Sequence, residues 1–294
     1  MKTKIYKPIF LIGTGRSGTT LAYDLLSHHP DLAWFSNLTS FFPRHPRLAK
    51  LSVWLNSPLS VLMPAKIKSL LGPSEAWSIW RMCYGGFPQP FRPLAREDVT
   101  NRARSRIRKA VEAHLRYQNK PRFLTKYTGW SRVGFIDAVF PDALFIHVLR
   151  DGRAVANSLM NVDFWHGWGG PEGWRGGALP EKFEKEWMSA NRSFVVLVAI
   201  QWKILIRELQ KSREIVGDGR FLEIKYEDIV REPAATLKQV TEFCELGERR
   251  EFEKYLTTRR LKNANYKWET DLTEEQKELL NACLHDELKR LNYI

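Results

Sequence analysis

The feature that most constrains the fold is a short apolar run followed at once by a glycine-containing loop and a helical pattern. Residues 8–12 (PIFLI) form an apolar stretch that stops at Gly13, as is typical of a buried strand. From Thr19 to His28 the leucines recur at helical spacing, and Pro30 ends the pattern. A strand, a loop and a helix in this order are typical of a crossover connection, which joins parallel strands.

Further segments with strand character follow, separated by helical patterns. The candidate strands after the first are 32–35, 122–126, 144–149 and 220–226. The helical patterns are clearest at 19–28, 102–118, 131–140, 181–213 and 273–290. Strands separated by helices favour a parallel sheet that is covered on both faces. We therefore predict an α/β fold with a mainly parallel central sheet flanked by helices, and ligands bind beyond the carboxyl ends of such strands.

Two stretches interrupt this alternation. Residues 41–95 are rich in Pro, Trp and Leu and predict an inserted helical segment. In it we expect 51–63 to be a buried helix, and contact with a lipid is the alternative for this hydrophobic segment. Residues 163–180 contain six glycines and three tryptophans. A loop of this length in a compact domain is typical of a lid or a binding loop.

Composition limits the classes of protein to which the chain can belong. Of its 294 residues, 46 are Lys or Arg and 33 are Asp or Glu, a net charge of +13 that indicates an anionic partner. Three widely spaced cysteines favour neither a disulfide framework nor a zinc site. The longest apolar stretch, 194–200, falls far short of the about 20 residues that cross a bilayer. We expect a cytoplasmic protein without a signal peptide or a transmembrane segment.

The loop from Gly13 to Thr20 (GTGRSGTT) is suited to hold a phosphate. Its glycines let backbone N–H groups turn toward one point, and the helix that follows adds the positive end of its dipole. The ATP-binding form of such a loop has Lys directly after its last glycine, where this chain has Thr19. The cation of this loop is Arg16 instead. The sequence therefore predicts a phosphate site that lacks the lysine for the outer phosphates of ATP.

A second candidate anion site follows the strand at 144–149. Arg150 comes directly after that strand, at the end where ligands bind. Ser158 can return to the same point after a tight turn and one or two helical turns. An Arg fork with a hydroxyl suits a phosphate monoester. The alternative is that Arg150 forms a salt bridge with Asp151 or Asp163.

Two separate phosphate sites without the ATP-type lysine resemble those of the PAPS-dependent sulfotransferases, in the bacterial and Golgi-type branch with Arg in the loop. The matching segments are 10–21, 29–31, 123–126, 140–142, 145–158, 222–230 and 266–268. The resemblance extends over nearly the whole chain. It implies one sulfotransferase domain over 1–294, with a P-loop-like strand-loop-helix nucleotide site, a helical insertion at about 41–95 and a Gly/Trp-rich loop at about 163–180.

The resemblance also implies an activity. Enzymes of this family transfer a sulfuryl group from 3′-phosphoadenosine-5′-phosphosulfate (PAPS) to a hydroxyl or an amine and release the bisphosphate PAP. The acceptor is expected to be a small molecule, a glycan or a lipid. No feature of the sequence predicts an oligomeric state.

The nucleotide contacts follow from the resemblance residue by residue. The loop contacts are expected at Gly15, Arg16, Ser17, Gly18, Thr19 and Thr20, whose backbone and hydroxyls would hold the 5′-phosphate. Arg150 and Ser158 are expected to hold the 3′-phosphate. Tyr226, expected at the end of a strand, would lie near the adenosine, and Lys267 would close over the nucleotide.

Two cations are predicted to act in the transfer itself. As in phosphoryl transfer, positioning and charge stabilisation are expected to supply most of the catalysis. Arg16 and Lys126 are the cations expected to meet the charge that grows on the leaving phosphate. Because a sulfuryl group carries less charge than a phosphoryl group, two fixed cations are expected to replace a metal ion, and no metal site is predicted.

The general base is less well defined. Some relatives place a Glu in the stretch that matches 35–38, where this chain has no carboxylate. Glu75, set among aromatic residues, is the first candidate for the base, and Asp163 and His166 are its rivals. An alternative role for Glu75 is that of an acid stabilised by the dipole of a helix that begins beside it.

Two other functions are compatible with parts of the sequence. A P-loop kinase or another NTPase would use the same glycine-containing loop. A nucleic-acid-binding protein would use the positive charge, to which residues 96–122 contribute nine Lys or Arg against three acids. No nucleic-acid-binding motif accompanies that stretch, so a solvated charged face is favoured and no nucleic-acid partner is expected.

Overall fold

The computed structural model describes residues 4–88, 91–174 and 176–294. Its strands are β1 (Ile9–Gly13), β2 (Leu32–Ala33), β3 (Arg122–Thr128), β4 (Leu144–Leu149) and β5 (Phe221–Lys225). Its α-helices are α1 (Thr19–Ser27), α2 (Asn37–Phe41), α3 (Ala65–Leu71), α4 (Trp77–Cys83), α5 (Asn101–Gln118), α6 (Val133–Val139), α7 (Gly152–Met160), α8 (Glu181–Ser189), α9 (Phe194–Val216), α10 (Tyr226–Arg231), α11 (Pro233–Phe243), α12 (Arg250–Thr257), α13 (Lys267–Asp271) and α14 (Glu274–Arg290). Short 3₁₀ helices lie at Pro46–Asn56, Pro58–Leu62, Arg96–Asp98, Gly167–Gly169, Pro171–Gly173 and Asp218–Arg220.

The five strands form one parallel sheet in the order β2-β3-β1-β4-β5. The prediction of a parallel α/β fold is therefore confirmed. In the register of the sheet, Leu11 of β1 lies opposite Lys126 of β3 and Ile146 of β4. The carboxyl ends of these three neighbouring strands thus lie side by side at one edge.

The central strands carry apolar side chains on both faces, because helices cover both. On one face Phe10 stacks on Phe145 at a centroid distance of 5.7 Å. On the other face Leu11 and Ile146 pack with Leu25 of α1. Each such buried side chain stabilises the fold by about 1.5–3 kcal/mol. The sheet is therefore a well-packed support for the loops that follow its strands.

One predicted helical segment is wrong in its extent. The pattern over 181–213 is divided between α8 and α9, and the chain turns between them. Asn191 and Arg192 both have positive φ angles, 50° and 57°, in the left-handed region. A right-handed helix cannot continue through two such residues.

The expected buried helix at 51–63 is also wrong. The segment consists of two 3₁₀ helices, and Trp54, Val61 and Leu62 are exposed on its surface. Between the two helices Ser57 is extended, with φ −87° and ψ 153°. A residue that precedes proline is pushed out of the helical region, so one continuous helix cannot form here.

Two boundaries differ from the predictions for the same strands. Strand β2 ends at Ala33, because the backbone of Trp34 is bonded in both directions by the side-chain amide of Gln118. Tyr226 does not end β5 but begins α10, whose first turn holds Glu227 and Asp228. Acidic side chains in the first turn stabilise a helix through its dipole.

Within the described residues, no helix combines the length and the apolar character that a bilayer-spanning segment requires.

Candidate active site

The loop between β1 and α1 turns through two residues in the left-handed region. Arg16 has φ 68° and Gly18 has φ 92°. The N–H of Ser17 donates to the carbonyl of Thr14 at 3.3 Å, which closes the first turn of the loop. Gly18 caps α1, and the first N–H groups of that helix have no acceptor within it. The loop and the helix together present N–H groups and the positive end of a dipole, as anion sites do.

Tyr226 joins this loop to the second predicted anion site. Its ring lies against Gly18, so that a Cβ atom at that position would be 2.4 Å from the tyrosine Cδ2. The guanidinium carbon of Arg150 lies 4.4 Å from the centroid of the same ring. Tyr226 therefore packs between the loop after β1 and the arginine after β4.

Arg150 is buried and bonded to neutral acceptors. Its Nη1 donates to the carbonyl of Arg16 at 2.9 Å, its Nη2 to the carbonyl of Ala264 at 3.0 Å, and its Nε to the Oδ1 of Asn265 at 3.1 Å. Burial lowers the pKa of the Arg150 guanidinium. The neighbouring Asp151 pairs with Arg153 at 2.7 Å rather than with Arg150. Among the described residues Arg150 thus donates its hydrogen bonds to neutral acceptors, while Glu227 and Asp151 lie close enough to act on its charge.

A cavity of about 660 Å³ lies beside Arg150. It is lined by four residues that are predicted from the sequence to bind the nucleotide, namely Arg16, Arg150, Ser158 and Lys267. The Nε of Arg16 donates to the Oγ of Ser158 at 2.8 Å. Three cations therefore face one cavity, in which Asp271 is the acidic lining residue. Such a lining is suited to an anionic ligand.

Three further positions on the lining come from α7, α9 and the Gly/Trp-rich loop. The Nδ2 of Asn157 donates to Asp271 at 2.8 Å, while its Oδ1 is buried without a hydrogen-bond partner among the described atoms. Trp168 is exposed and lines the cavity together with Phe194, whose ring lies 4.5 Å away. The other two tryptophans of the loop, Trp165 and Trp174, are buried.

A second cluster lies at the end of β3. The side chain of Lys126 is 9% exposed, and its Nζ lies 2.7 Å from the Oε1 of Glu75. The same ammonium group donates to the Oγ1 of Thr20 in α1 at 2.9 Å. Two predicted catalytic residues, Lys126 and Glu75, are therefore in direct contact, and Thr20 connects them to the phosphate loop.

Glu75 is held by side chains rather than by the helix that follows it. Its Oε1 also accepts from the Oγ1 of Thr128 at 3.1 Å, and its Oε2 from the Nε1 of Trp77 at 2.6 Å. Ala76, which caps α4, has a positive φ of 51°, and this turn separates the acid from the helix. These contacts favour an acid directed at Lys126 over one stabilised by the dipole of α4.

The rival bases lie elsewhere. Asp163 and His166 are both exposed, and neither lines the cavity beside Arg150. The backbone of His166 bonds to Gly173 at 3.2 Å, within the Gly/Trp-rich loop. Geometry thus favours Glu75 among the three candidates.

Some residues of the site were not predicted from the sequence. Thr128 lies two positions after Lys126 on the same strand, so the two side chains are on the same face of the sheet. This spacing could have predicted that Thr128 belongs to the site. Ala264 and Asn265, which bind Arg150, come from a stretch without a motif more than a hundred residues away.

Comparisons with known proteins identify the family of the chain. A family model described as "Sulfotransferase family" matches residues 8–249. The omega-hydroxy-beta-dihydromenaquinone-9 sulfotransferase Stf3 of Mycobacterium bovis is 26% identical over 319 residues, which cover 97% of this chain and 75% of that protein. Protein-tyrosine sulfotransferase A of Caenorhabditis elegans is 25% identical over 240 residues, which cover 81% of this chain and 50% of that protein.

Solved structures show the same fold. The sulfotransferase STF9 from Mycobacterium avium superposes with a TM-score of 0.57 at 18% identity and covers 98% of this chain and 77% of its own. The sulfotransferase STF1 from Mycobacterium tuberculosis gives a TM-score of 0.56 at 17% identity, with 95% and 78% covered. At these identities the likeness establishes the fold alone.

Proposed function

Because the chain belongs to the PAPS-dependent sulfotransferase family, we propose that its two clusters bind PAPS and catalyse in-line transfer of the sulfuryl group to an acceptor hydroxyl or amine. The observation that carries this proposal is the placement of the phosphate loop, the Arg150 cavity and the Lys126–Glu75 pair at one edge of the sheet. The carboxyl edge of a parallel sheet is where such folds bind their ligands.

The loop and the cavity are assigned to the two ends of the nucleotide. Gly15, Ser17, Gly18, Thr19 and Thr20 would hold the 5′-phosphate through the loop backbone and hydroxyls. The buried Ser17 Oγ has no hydrogen-bond partner among the described atoms, which supports a ligand oxygen as its partner.

Arg150 and Ser158 would hold the 3′-phosphate, with Lys267 as a third cation on the same cavity. The hydrogen bonds of Arg150 go to neutral acceptors, and a charge-assisted hydrogen bond from its guanidinium to a phosphate would be among the strongest. Tyr226 packs under both sites and would border the adenosine.

Three side chains are assigned to the transfer. Arg16, within the loop assigned to the 5′-phosphate, and Lys126, bonded to Thr20 at the end of that loop, would stabilise the negative charge that grows on the leaving phosphate. Fixed cations of this kind need no reorganisation during the reaction. Glu75 would accept the proton of the acceptor hydroxyl, because its carboxylate lies 2.7 Å from Lys126 and thus beside the reacting groups.

The acceptor is proposed to be a small molecule, a glycan or a lipid that carries a hydroxyl group. The names of the two relatives describe action on omega-hydroxy-beta-dihydromenaquinone-9 and on protein tyrosine. Both of these acceptors offer a hydroxyl to the sulfuryl group.

A ligand comparison tests the proposal against a kinase or NTPase. PAP is expected to raise the thermal unfolding temperature, since a ligand at 100 times its Kd adds about 2.7 kcal/mol of stability. ATP with Mg²⁺ at the same concentration should give no comparable rise, because Thr19 replaces the lysine that reaches its outer phosphates. Release of PAP from PAPS that depends on an added acceptor would support the transfer. A response to ATP with Mg²⁺ but not to PAP would contradict it.

A further inference from the structure

A lobe of the chain leaves the fold beside the Lys126–Glu75 pair and returns to the same place. We name residues 37–71 the apolar lobe; it consists of α2, the 3₁₀ helices at 46–56 and 58–62, and α3. The 3₁₀ helix at 46–56 packs against each of the other three. Its two ends are joined where the N–H of Asn37 donates to the carbonyl of Gly72 at 3.0 Å and where Ser36 pairs with Pro73. Glu75 follows two residues later, so the lobe is anchored directly beside the proposed active site.

The apolar lobe exposes an unusual share of large apolar side chains. Among the described residues, sixteen large apolar or aromatic side chains are exposed, and seven of them lie in this lobe. The seven are Phe41, Phe42, Leu51, Trp54, Val61, Leu62 and Ile67. Val61 and Leu62 are 79% and 81% exposed, which is close to full contact with water. Apolar side chains concentrated in this way mark an interaction surface.

The charge of the same lobe has one sign. No Asp or Glu occurs between Asp31 and Glu75, whereas the lobe contains five exposed basic residues. These are Arg44, Arg47, Lys50, Lys66 and Lys68. Next to the lobe, Arg106 and Lys109 of α5 line a cavity of about 650 Å³ together with Arg44. The lobe therefore exposes apolar and cationic side chains together.

We propose that the apolar lobe docks in the interfacial region of a lipid bilayer with an anionic surface. Apolar side chains beside Lys and Arg suit this partner, because the apolar groups enter the acyl boundary while the long cationic side chains reach the headgroups. A second copy of the same lobe would bring five cations against five, so self-association is disfavoured by repulsion. Charge complementarity thus selects an anionic membrane as the partner.

Docking would bring the Lys126–Glu75 pair to the membrane surface, where a lipid-borne hydroxyl would be within its reach. This use of the lobe rests on the proposed function. The docking itself involves no residue that we assign to PAPS binding or to transfer. The two proposals can therefore fail separately.

Sedimentation with vesicles tests the docking. The full chain is expected to bind vesicles of phosphatidylcholine with phosphatidylglycerol much more strongly than vesicles of phosphatidylcholine alone, and added salt should weaken that binding. The double variant Lys66→Gln/Lys68→Gln should bind the anionic vesicles about 25-fold more weakly, since each cation near such a surface contributes about fivefold. The variant Val61→Ser/Leu62→Ser should lose binding to both kinds of vesicle.

Matched controls alter the same types of residue elsewhere on the surface. Lys182→Gln/Lys185→Gln removes two exposed cations from α8, and Ile215→Ser removes an exposed apolar side chain from α9. Both controls should bind vesicles as the wild-type chain does, and all variants should bind PAP unchanged. Equal losses in the controls, no vesicle binding by the wild-type chain, or self-association that Val61→Ser/Leu62→Ser abolishes would each overturn the docking. If the wild-type chain does not bind PAP, the proposed function is overturned instead.

Discussion

The ring of Tyr226 lies so close to Gly18 that a Cβ atom on the glycine would be 2.4 Å from the tyrosine Cδ2. Gly18 also has a φ of 92°, in the left-handed region. Packing and backbone conformation therefore both require glycine at the point where the phosphate loop enters α1. The same contact connects the loop to Arg150, which stacks on the tyrosine ring.

Gly18→Ala is expected to displace Tyr226 and to weaken PAP binding, with a loss of about 1–3 kcal/mol in the free energy of unfolding. Gly129→Ala is the matched control, because Gly129 has a φ of 95° but no atom within 4 Å of the added Cβ. The control should lose stability but retain its affinity for PAP. Calorimetric titration with PAP and urea unfolding measure the two effects. Equal loss of PAP affinity in both variants would contradict the role of the Gly18–Tyr226 contact.

Glu75→Gln tests the general base. Glutamine has the same shape as glutamate and can lie against Thr128 and Trp77 in the same way, but it cannot accept a proton. Turnover should therefore fall by about 10²–10⁴-fold. PAP affinity should stay the same. Asp163→Asn and His166→Ala should leave turnover unchanged, since both side chains are exposed and neither lines the cavity beside Arg150. An unchanged turnover in Glu75→Gln would return the role to one of these rivals.

Arg16→Ala is expected to lower turnover, because the transition state loses about 3 kcal/mol of stabilisation. This is the usual effect of removing one preorganised donor. Arg16→Lys keeps a cation at this position. Both variants place a residue with a Cβ atom at a φ of 68°, so any backbone strain is the same in the two. Single-turnover rates at saturating PAPS should therefore rank wild type, Lys and Ala in that order. Near-wild-type turnover in Arg16→Ala would remove Arg16 from the mechanism.

His114 predicts a pH dependence of stability. Burial lowers its pKa from 6.5 to about 4, and its ring packs edge-on against Phe35 at 4.6 Å. Between these two values the unfolded chain binds a proton that the folded chain does not. The free energy of unfolding should therefore fall as the pH falls from 6.5 to about 4, by up to about 3 kcal/mol from this group.

The variant His114→Gln isolates that contribution. Burial also lowers the pKa values of His28 and His29, so the wild-type chain loses stability from several groups in the same direction. The difference in unfolding free energy between wild type and variant should shrink as the pH falls through this window. A difference that stays constant in urea unfolding would contradict the buried neutral state of His114.

The sheet, and the positions of the loop after β1 and of Arg150 on it, could be predicted because their signals are local. Strands β1 and β4 are apolar on both faces and fully buried, so each is visible as a short run that ends at a glycine or an arginine. In the loop Gly18 adopts the positive φ that glycine permits, whereas the positive φ of Arg16 has no such signal in the sequence. Arg150 could be placed because the end of a strand fixes the position of the next residue.

The remainder depends on contacts between distant parts of the chain. The Lys126–Glu75 pair joins residues 51 positions apart, and nothing near either residue encodes the distance. The neutral partners of Arg150 come from 264–265, again without a local signal. The turn at Asn191 and Arg192 and the exposure of Val61 depend on how the surrounding helices pack, which hydrophobic periodicity does not report.

The most direct test of the account compares PAP with adenosine 5′-monophosphate, which lacks the 3′-phosphate, on wild type and on Arg150→Ala. In the wild-type chain the 3′-phosphate should contribute about 1.5–3 kcal/mol of binding free energy, the usual range for a charge-assisted hydrogen bond. Arg150→Ala should lose most of that difference and bind the two nucleotides with similar affinity, as measured by calorimetric titration. If Arg150→Ala still prefers PAP by the wild-type margin, the cavity beside Arg150 does not hold the 3′-phosphate, and the assignment of the two anion sites is contradicted.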